Sequence, residues 1–293
     1  MRAKDVVDLV LLAAVWGASF LFMRMGAPEF GPVALVQLRM LIAALCLLPI
    51  LKMQVGLQEI PGNWKHLIVL GFLNSAIPFM LLSYATIYVT AGFSSVINAT
   101  APIWGAVIAW IWLSERLSKA GAIGLLLGFI GVAVLTMDKE SLSVPGSASA
   151  LLAAVCAAFF YGIGVNYAKR FTSGLKTLSV ATGSMLYPAV ILSPLTIALW
   201  PEQLPSTSAW VALLLMGTAS TGLAYILYFR LIANVGPTRA ITVAYLMPAF
   251  AVIWGALILD ETITLLMVVG CMTIFVGTAL VTGVLPRSKQ RKK

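Results

Sequence analysis

The 293-residue sequence predicts an all-α polytopic membrane protein: ten transmembrane helices forming two inverted five-helix repeats around a central cavity. Three observations lead there: a composition too apolar for water, ten apolar stretches of spanning length, and a second half of the chain that overlays the first. The hydrophobic set makes up 61% of the chain and charged residues 10%, against about 25% charged residues in soluble domains. So few charges cannot coat a water-soluble fold of this size, which excludes soluble enzymes, disordered tails and disulfide scaffolds. The three cysteines, Cys46, Cys156 and Cys271, each lie inside an apolar run and show no metal-ligand spacing. The net charge of +9 sits in short segments between apolar runs, a pattern of membrane topology and not of nucleic-acid binding.

A helix needs about 20 mostly apolar residues to cross a hydrocarbon core of about 30 Å, because lipid cannot satisfy free backbone groups. Spans one to ten are predicted at 6–25, 32–51, 64–84, 91–113, 119–137, 148–168, 178–199, 209–229, 238–259 and 262–284. Span one follows Arg2 and Lys4 but is longer than the apolar part of a signal peptide, so it is expected to be retained. The connections carry breakers: Pro28 and Pro32 after span one, Pro61-Gly62, Pro145-Gly146, Pro201 and Pro205, and Gly236-Pro237. Of the 19 Lys and Arg, only Arg24 and Lys139 fall on one side of this arrangement, and Arg39 lies inside span two. All the others fall on the opposite side, which the positive-inside rule makes cytoplasmic, with both termini there. Trp64, Trp110, Trp112, Trp200 and Trp210 lie near span ends, where an amphipathic ring suits the interface.

The overlay of the two halves is ordered. At a shift of 145, Gly17 meets Gly162, Met40-Leu41 meets Met185-Leu186, and Pro49 meets Pro194. At 146, Trp64 meets Trp210, Ser75 meets Thr221, Pro102 meets Pro248, Glu115 meets Glu261, and Gly124 and Gly131 meet Gly270 and Gly277. Chance coincidence in apolar sequence is the alternative, and ordered Trp, Pro and Glu pairs joined by one gap weigh against it. The expected division is a first repeat at 1–140, a second at 147–285 and a basic cytoplasmic tail at 286–293. Five spans is an odd number, so the second repeat enters the membrane from the other side, with Glu115 cytoplasmic and Glu261 extracytoplasmic. Inverted repeats of this kind hold a ligand near the midplane where the halves meet.

Several residues resemble one family. Trp16-Gly17 in span one, Pro102 with Glu115 in Trp-Leu-Ser-Glu-Arg-Leu-Ser, and Pro248 with Glu261 in Ile-Leu-Asp-Glu-Thr-Ile-Thr are similar to the EamA-type branch of the drug/metabolite transporter superfamily. The likeness covers nearly the whole chain. It implies a multi-pass exporter of the bacterial inner membrane, without a cofactor, whose partners are membrane lipid and a small molecule. The aromatic amino-acid exporters of that branch are the nearest likeness, which makes amino acids or related metabolites the expected substrates. Trp16-Gly17 becomes Tyr161-Gly162 in the second half, so the two sides of the cavity are expected to differ in chemistry.

The candidate substrate-binding residues are Trp16, Tyr84, Asn98, Trp104, Tyr161 and Tyr245, chosen from a wider aromatic set that includes Phe79, Tyr225 and Trp254. An aromatic, partly polar pocket suits an ammonium group through the ring quadrupole and an apolar side chain through burial; ordinary packing is the other reading of each ring. Asn98 and Asn74 carry amides that lipid cannot satisfy, which leaves substrate contact or interhelical hydrogen bonding. Pro102 and Pro248 read as paired hinges or as static kinks. Arg39 lies about 10 Å into span two, deep enough to meet a substrate carboxylate and shallow enough to snorkel. The glycines of span five, Gly121, Gly124, Gly128 and Gly131, predict close approach to another helix, of this chain or of a second copy.

All ten acidic residues lie in tails, loops or span ends, and His66, the sole histidine, is near an interface. Proton-driven carriers commonly hold such groups within the membrane, so uncoupled facilitated transport is expected. A broader drug or metabolite exporter with proton coupling, and a membrane scaffold or receptor, are the alternatives. An enzyme would need a nucleophile with its base, paired carboxylates or a metal set, and no such set lies in the spans.

Overall fold

Ten apolar stretches imply helices, because only helices or closed barrels satisfy every backbone group in lipid. The computed structural model describes residues 3–114, 118–236 and 243–282, and the regular structure in them is helical throughout. Among the described residues, eight helical runs are long and apolar enough to cross a membrane, the longest being Ala3–Gln54. That run is two spans. At Gly31 the backbone takes φ 71° and ψ 156°, a conformation open to glycine and costly for a residue with a Cβ. A Cβ on Gly26 would lie 2.8 Å from the Leu35 side chain, whereas nine residues of continuous helix would set the two about 13 Å apart along the axis. The chain therefore folds back between Pro28 and Pro32, where the sequence puts the turn between spans one and two.

Span three is Trp64–Tyr88, span four Ala91–Trp112, span five Lys119–Thr136, span six Ser147–Phe171, span seven Thr177–Ala198, span eight Thr207–Ile232 and span ten Leu265–Thr282. Span nine is represented by Val243–Leu259; the start predicted for it, 238–242, lies outside the described residues. Leu45, Leu126, Leu152, Ile197, Leu257 and Leu265 point outward and are exposed, as an apolar shell facing lipid requires.

Small residues set the crossings. Spans five and ten meet glycine to glycine: a Cβ on Gly277 would lie 2.6 Å from Gly124 O, and one on Gly131 would lie 3.0 Å from Gly270 O. The partner of span five is thus a helix of the same chain. A Cβ on Gly17 would lie 2.8 Å from Met247 O of span nine, and one on Gly162 would lie 2.8 Å from Gly105 N of span four. Two spans carry a wider, π-helical turn at their centres, Phe72–Ala76 in span three and Thr218–Leu223 in span eight. Such turns are rare and collect at functional sites.

Span four is discontinuous. Its helices Ala91–Asn98 and Ala101–Trp112 are separated at Ala99 and Thr100, and Pro102 opens the second helix, where a missing N–H costs nothing. The corresponding Pro248 lies inside the continuous helix Val243–Leu259. The two prolines are equivalent in the repeat but not in local structure.

The linker between the halves is anchored by Asp138, which accepts hydrogen bonds from the Ser141 hydroxyl at 2.8 Å and from Thr264 just before span ten. Burial pushes the Asp138 carboxyl up, but the bonds from Thr264 and Ser141 outweigh it and hold the group below the usual aspartate range. A carboxylate with a depressed folded-state pKa contributes stability above its unfolded value, about pH 4, and loses it as pH falls through the folded value. The melting temperature of detergent-solubilised protein should therefore carry a drop below about pH 4 that is smaller in Asp138→Asn. An equal drop in both would remove Asp138 from that role.

Candidate functional site

A cation lies near the middle of the bundle. Arg39 is 3% exposed, so its long side chain does not snorkel to the surface. Its Nε donates to Thr221 Oγ1 at 3.1 Å, and its guanidinium lies 3.8 Å from the centroid of the Phe79 ring. The Thr221 hydroxyl donates in turn to Met216 O at 2.9 Å, a bond that spans the wide π turn and leaves the oxygen to accept from Arg39. Tyr161 and Tyr225 are the electrostatic neighbours of the guanidinium, and the Tyr161 ring meets Phe79 edge-on at 6.4 Å. Phe79, Tyr161 and Thr221 are each at least nine residues from either end of their helices, which puts Arg39 near the midplane.

Among the described residues no carboxylate pairs with this charge. Arg39 Nη1 is buried without a hydrogen-bond partner, and no acidic residue of the sequence lies mid-span. Ion pairs among the described residues include Arg24 with Glu261 and Arg230 with Asp8, both at helix ends. Tyr161 and Tyr225 are half-buried. No group of His, Cys, Asp and Glu able to hold a metal occurs among the described residues.

The six candidate substrate residues do not all meet. Tyr161 joins Arg39 and Phe79. Trp16 packs on Tyr228 with ring centroids 5.2 Å apart, while Trp254 Nε1 donates to Ala14 O at 3.0 Å. Trp104 lies edge-on to Phe129 and Phe159, beside a cavity of about 40 Å³ that Thr100 also lines. Tyr84 bonds Ser149 at 2.9 Å and leans on Tyr88 near the end of span three. Asn98 is buried at the break in span four with its Oδ1 unpartnered; one residue on, Thr278 Oγ1 of span ten donates to Ala99 O at 3.1 Å. Tyr245 reaches the same helix through Thr282, so Ala99 and Tyr245 meet one stretch of span ten. Asn74, in the first π turn, packs against Gly164 of span six. Thr221 is the residue that sequence reasoning passed over; its pairing with Ser75 in the overlay was the available signal.

The two ends of the bundle differ. At one, Glu261 accepts two hydrogen bonds from Ala91 N, at 2.9 and 3.0 Å, and pairs with Arg24 Nε at 3.7 Å. Arg24 also donates to Thr86 O and Ile87 O, at 2.6 and 2.7 Å. A carboxylate at the first amide of a helix suits the positive end of its dipole. Burial pushes the Glu261 carboxyl up, and the bonds from Ala91 and Gly92 and the Arg24 charge pull it down; the net direction is up. This cluster ties spans one, three and four to the loop before span ten. Its repeat counterpart, Glu115, lies outside the described residues. At the opposite end, an open cleft of about 450 Å³ is lined by Gln54, Val55, Thr177, Ile226 and Arg230.

A multi-pass helical bundle, tied at one end and charged at its centre, belongs to the class of membrane transporters. The chain is a member of the EamA-like transporter family, matched twice, over residues 6–137 and 148–283. It is 24% identical to the uncharacterized transporter YvbV of Bacillus subtilis, over 99% of this chain and 94% of that protein. It is also 24% identical to a probable terminal-alkyne amino-acid exporter of Streptantibioticus cattleyicolor, over 95% of this chain and 93% of the relative. A protein of known crystal structure superposes with a TM-score of 0.66 at 19% identity, over 98% of this chain and 100% of its own, a likeness of fold alone.

Proposed function

We propose that the protein exports amino acids, aromatic and other apolar ones first, across the bacterial inner membrane by alternating access, as an uncoupled facilitator with both termini cytoplasmic. In this reading the repeats 1–140 and 147–285 run in opposite senses and enclose the Arg39 site. The observation that carries it is an exchange of contacts under the overlay. Gly124 packs on Gly277 and Gly131 on Gly270; a shift of 146 turns the first pair into the second. In the same way Gly71 packs on the Ser184 carbonyl and Gly217 on the Arg39 carbonyl. Contacts that map onto one another by exchanging halves are those of a pseudo-twofold axis, and an axis lying in the membrane plane is the framework on which inverted-repeat transporters alternate.

The substrate class is supported by the aromatic surroundings of the centre and by the amino-acid exporter among the relatives. The absence of acidic residues mid-span supports uncoupled movement. In this orientation the tied end, with Glu261, is extracytoplasmic and the end with the open cleft cytoplasmic. Purified protein in liposomes should give saturable phenylalanine flux that an imposed pH gradient does not enhance. Flux no greater than that of empty liposomes would refute transport of this class, and strong enhancement by the gradient would refute uncoupled movement.

A further inference from the structure

We infer that Arg39 is the anchor for a carboxylate on the transported molecule, so that the substrate class is defined by one negative charge beside an apolar or aromatic body. The inference rests on the transport reading above and assigns the ligand chemistry of its central site.

A charged side chain within a membrane bundle is costly unless it is paired or meets water. Snorkelling would relieve the cost, but Arg39 is 3% exposed and its neighbours are mid-span residues of spans three, six and eight. Internal pairing would relieve it too, yet among the described residues its partners are one neutral hydroxyl and aromatic rings, and Nη1 has none. A guanidinium is a planar fork of donors matched to the two oxygens of a carboxylate. Here Thr221 and Phe79 fix the orientation of the fork through Nε and the ring face, leaving Nη1 to bind.

The surroundings select among anions. No second Arg or Lys of the sequence lies mid-span, so a single unit charge is balanced, whereas a phosphate dianion would be left half-neutralised. The Phe79 and Tyr161 rings beside the guanidinium offer an apolar face to the rest of the ligand. The site is also shared between halves: Arg39 and Phe79 come from the first, Thr221, Tyr161 and Tyr225 from the second. A carboxylate bound there touches the surfaces that must move relative to one another, and neutralises the charge before the bundle rearranges around it.

The test compares phenylalanine, phenylpropionate, phenylethylamine and phenylalanine amide, by flux in liposomes and by thermal stabilisation of purified protein. The wild-type protein should take the two carboxylates and discriminate against the amine and the amide by about a hundredfold or more, because a buried donor fork left unpaired penalises the wrong ligand. Arg39→Gln should lose that discrimination together with carboxylate flux, and Arg39→Lys should retain part of it with a raised KM. Equal handling of phenylalanine and phenylethylamine by the wild-type protein overturns the inference and leaves transport standing. Phenylpropionate taken without phenylalanine supports the anchor while refuting the amino-acid reading. If Arg39→Gln does not fold, the wild-type panel alone decides, and absence of any carboxylate-dependent flux or stabilisation overturns the inference.

Discussion

Gly277→Leu is expected to leave little folded protein in the membrane. A Cβ there would lie 2.6 Å from Gly124 O and 2.8 Å from Gly128 N, and both are backbone atoms that no rotamer change can move aside. Overpacking a closed contact costs about 1–3 kcal/mol and occasionally more. Here the added side chain would have to part spans five and ten along a seam that Gly131 and Gly270 hold closed one to two turns away. Without a hydrophobic force between helices in lipid, that close contact is what joins the pair. Gly131→Leu should cost a similar amount, and the double variant less than the sum, since both changes open one seam. Gly174, whose Cβ would meet nothing within 4 Å, supplies the control: Gly174→Ala should keep the wild-type melting temperature. The measurement is the monodisperse fraction and melting temperature of fluorescently tagged protein after extraction. A Gly277→Leu variant within error of wild type would show that the seam is not a stability determinant.

What sequence reasoning captured and what it missed divide along one physical line. Run length and charge bias are local properties, so each of the ten stretches contains a helix, and Pro28, Gly31 and Pro32 turn the chain where expected. The glycines of span five announced a close crossing, but their partner is a tertiary fact and proved to be span ten. Span four breaks at Ala99 and Thr100, ahead of the proline that drew attention, because a proline suits the first turn of a new helix as well as a kink in an old one. The π turns left no trace in composition. Arg39 shows the limit most clearly. Distance along its own helix left snorkelling and burial both open, and only the packing of spans three and eight against span two decided between them. Trp104 and Tyr84 are candidates because they lie on spans related by the repeat, and each is engaged with other rings.

Glu261→Ala is expected to unlock the tied end of the bundle. The carboxylate is the acceptor for Ala91 N and a partner of Arg24, and its loss leaves a helix amide and a partly buried guanidinium each short of one contact. An unmade hydrogen bond to a buried group costs about 1–3 kcal/mol, and every 1.4 kcal/mol is about tenfold in a population. If the state tied through Glu261 alternates with one open at that end, the substitution should raise the open fraction by about tenfold or more. Ser94 reports it: the residue is buried one turn inside the helix that Glu261 caps, with its hydroxyl unpartnered. Ser94→Cys in a background lacking Cys46, Cys156 and Cys271 should react slowly with a membrane-impermeant maleimide, and faster by that factor once Glu261→Ala is added. Glu261→Gln should fall between, since its amide oxygen still accepts from Ala91 but no longer attracts Arg24. Phenylalanine flux should fall alongside, because a bundle held open at one end presents its site to one side only. Unchanged labelling with reduced flux would make Glu261 a prop for folding and not a gate, and unchanged labelling with unchanged flux would remove it from the transport cycle.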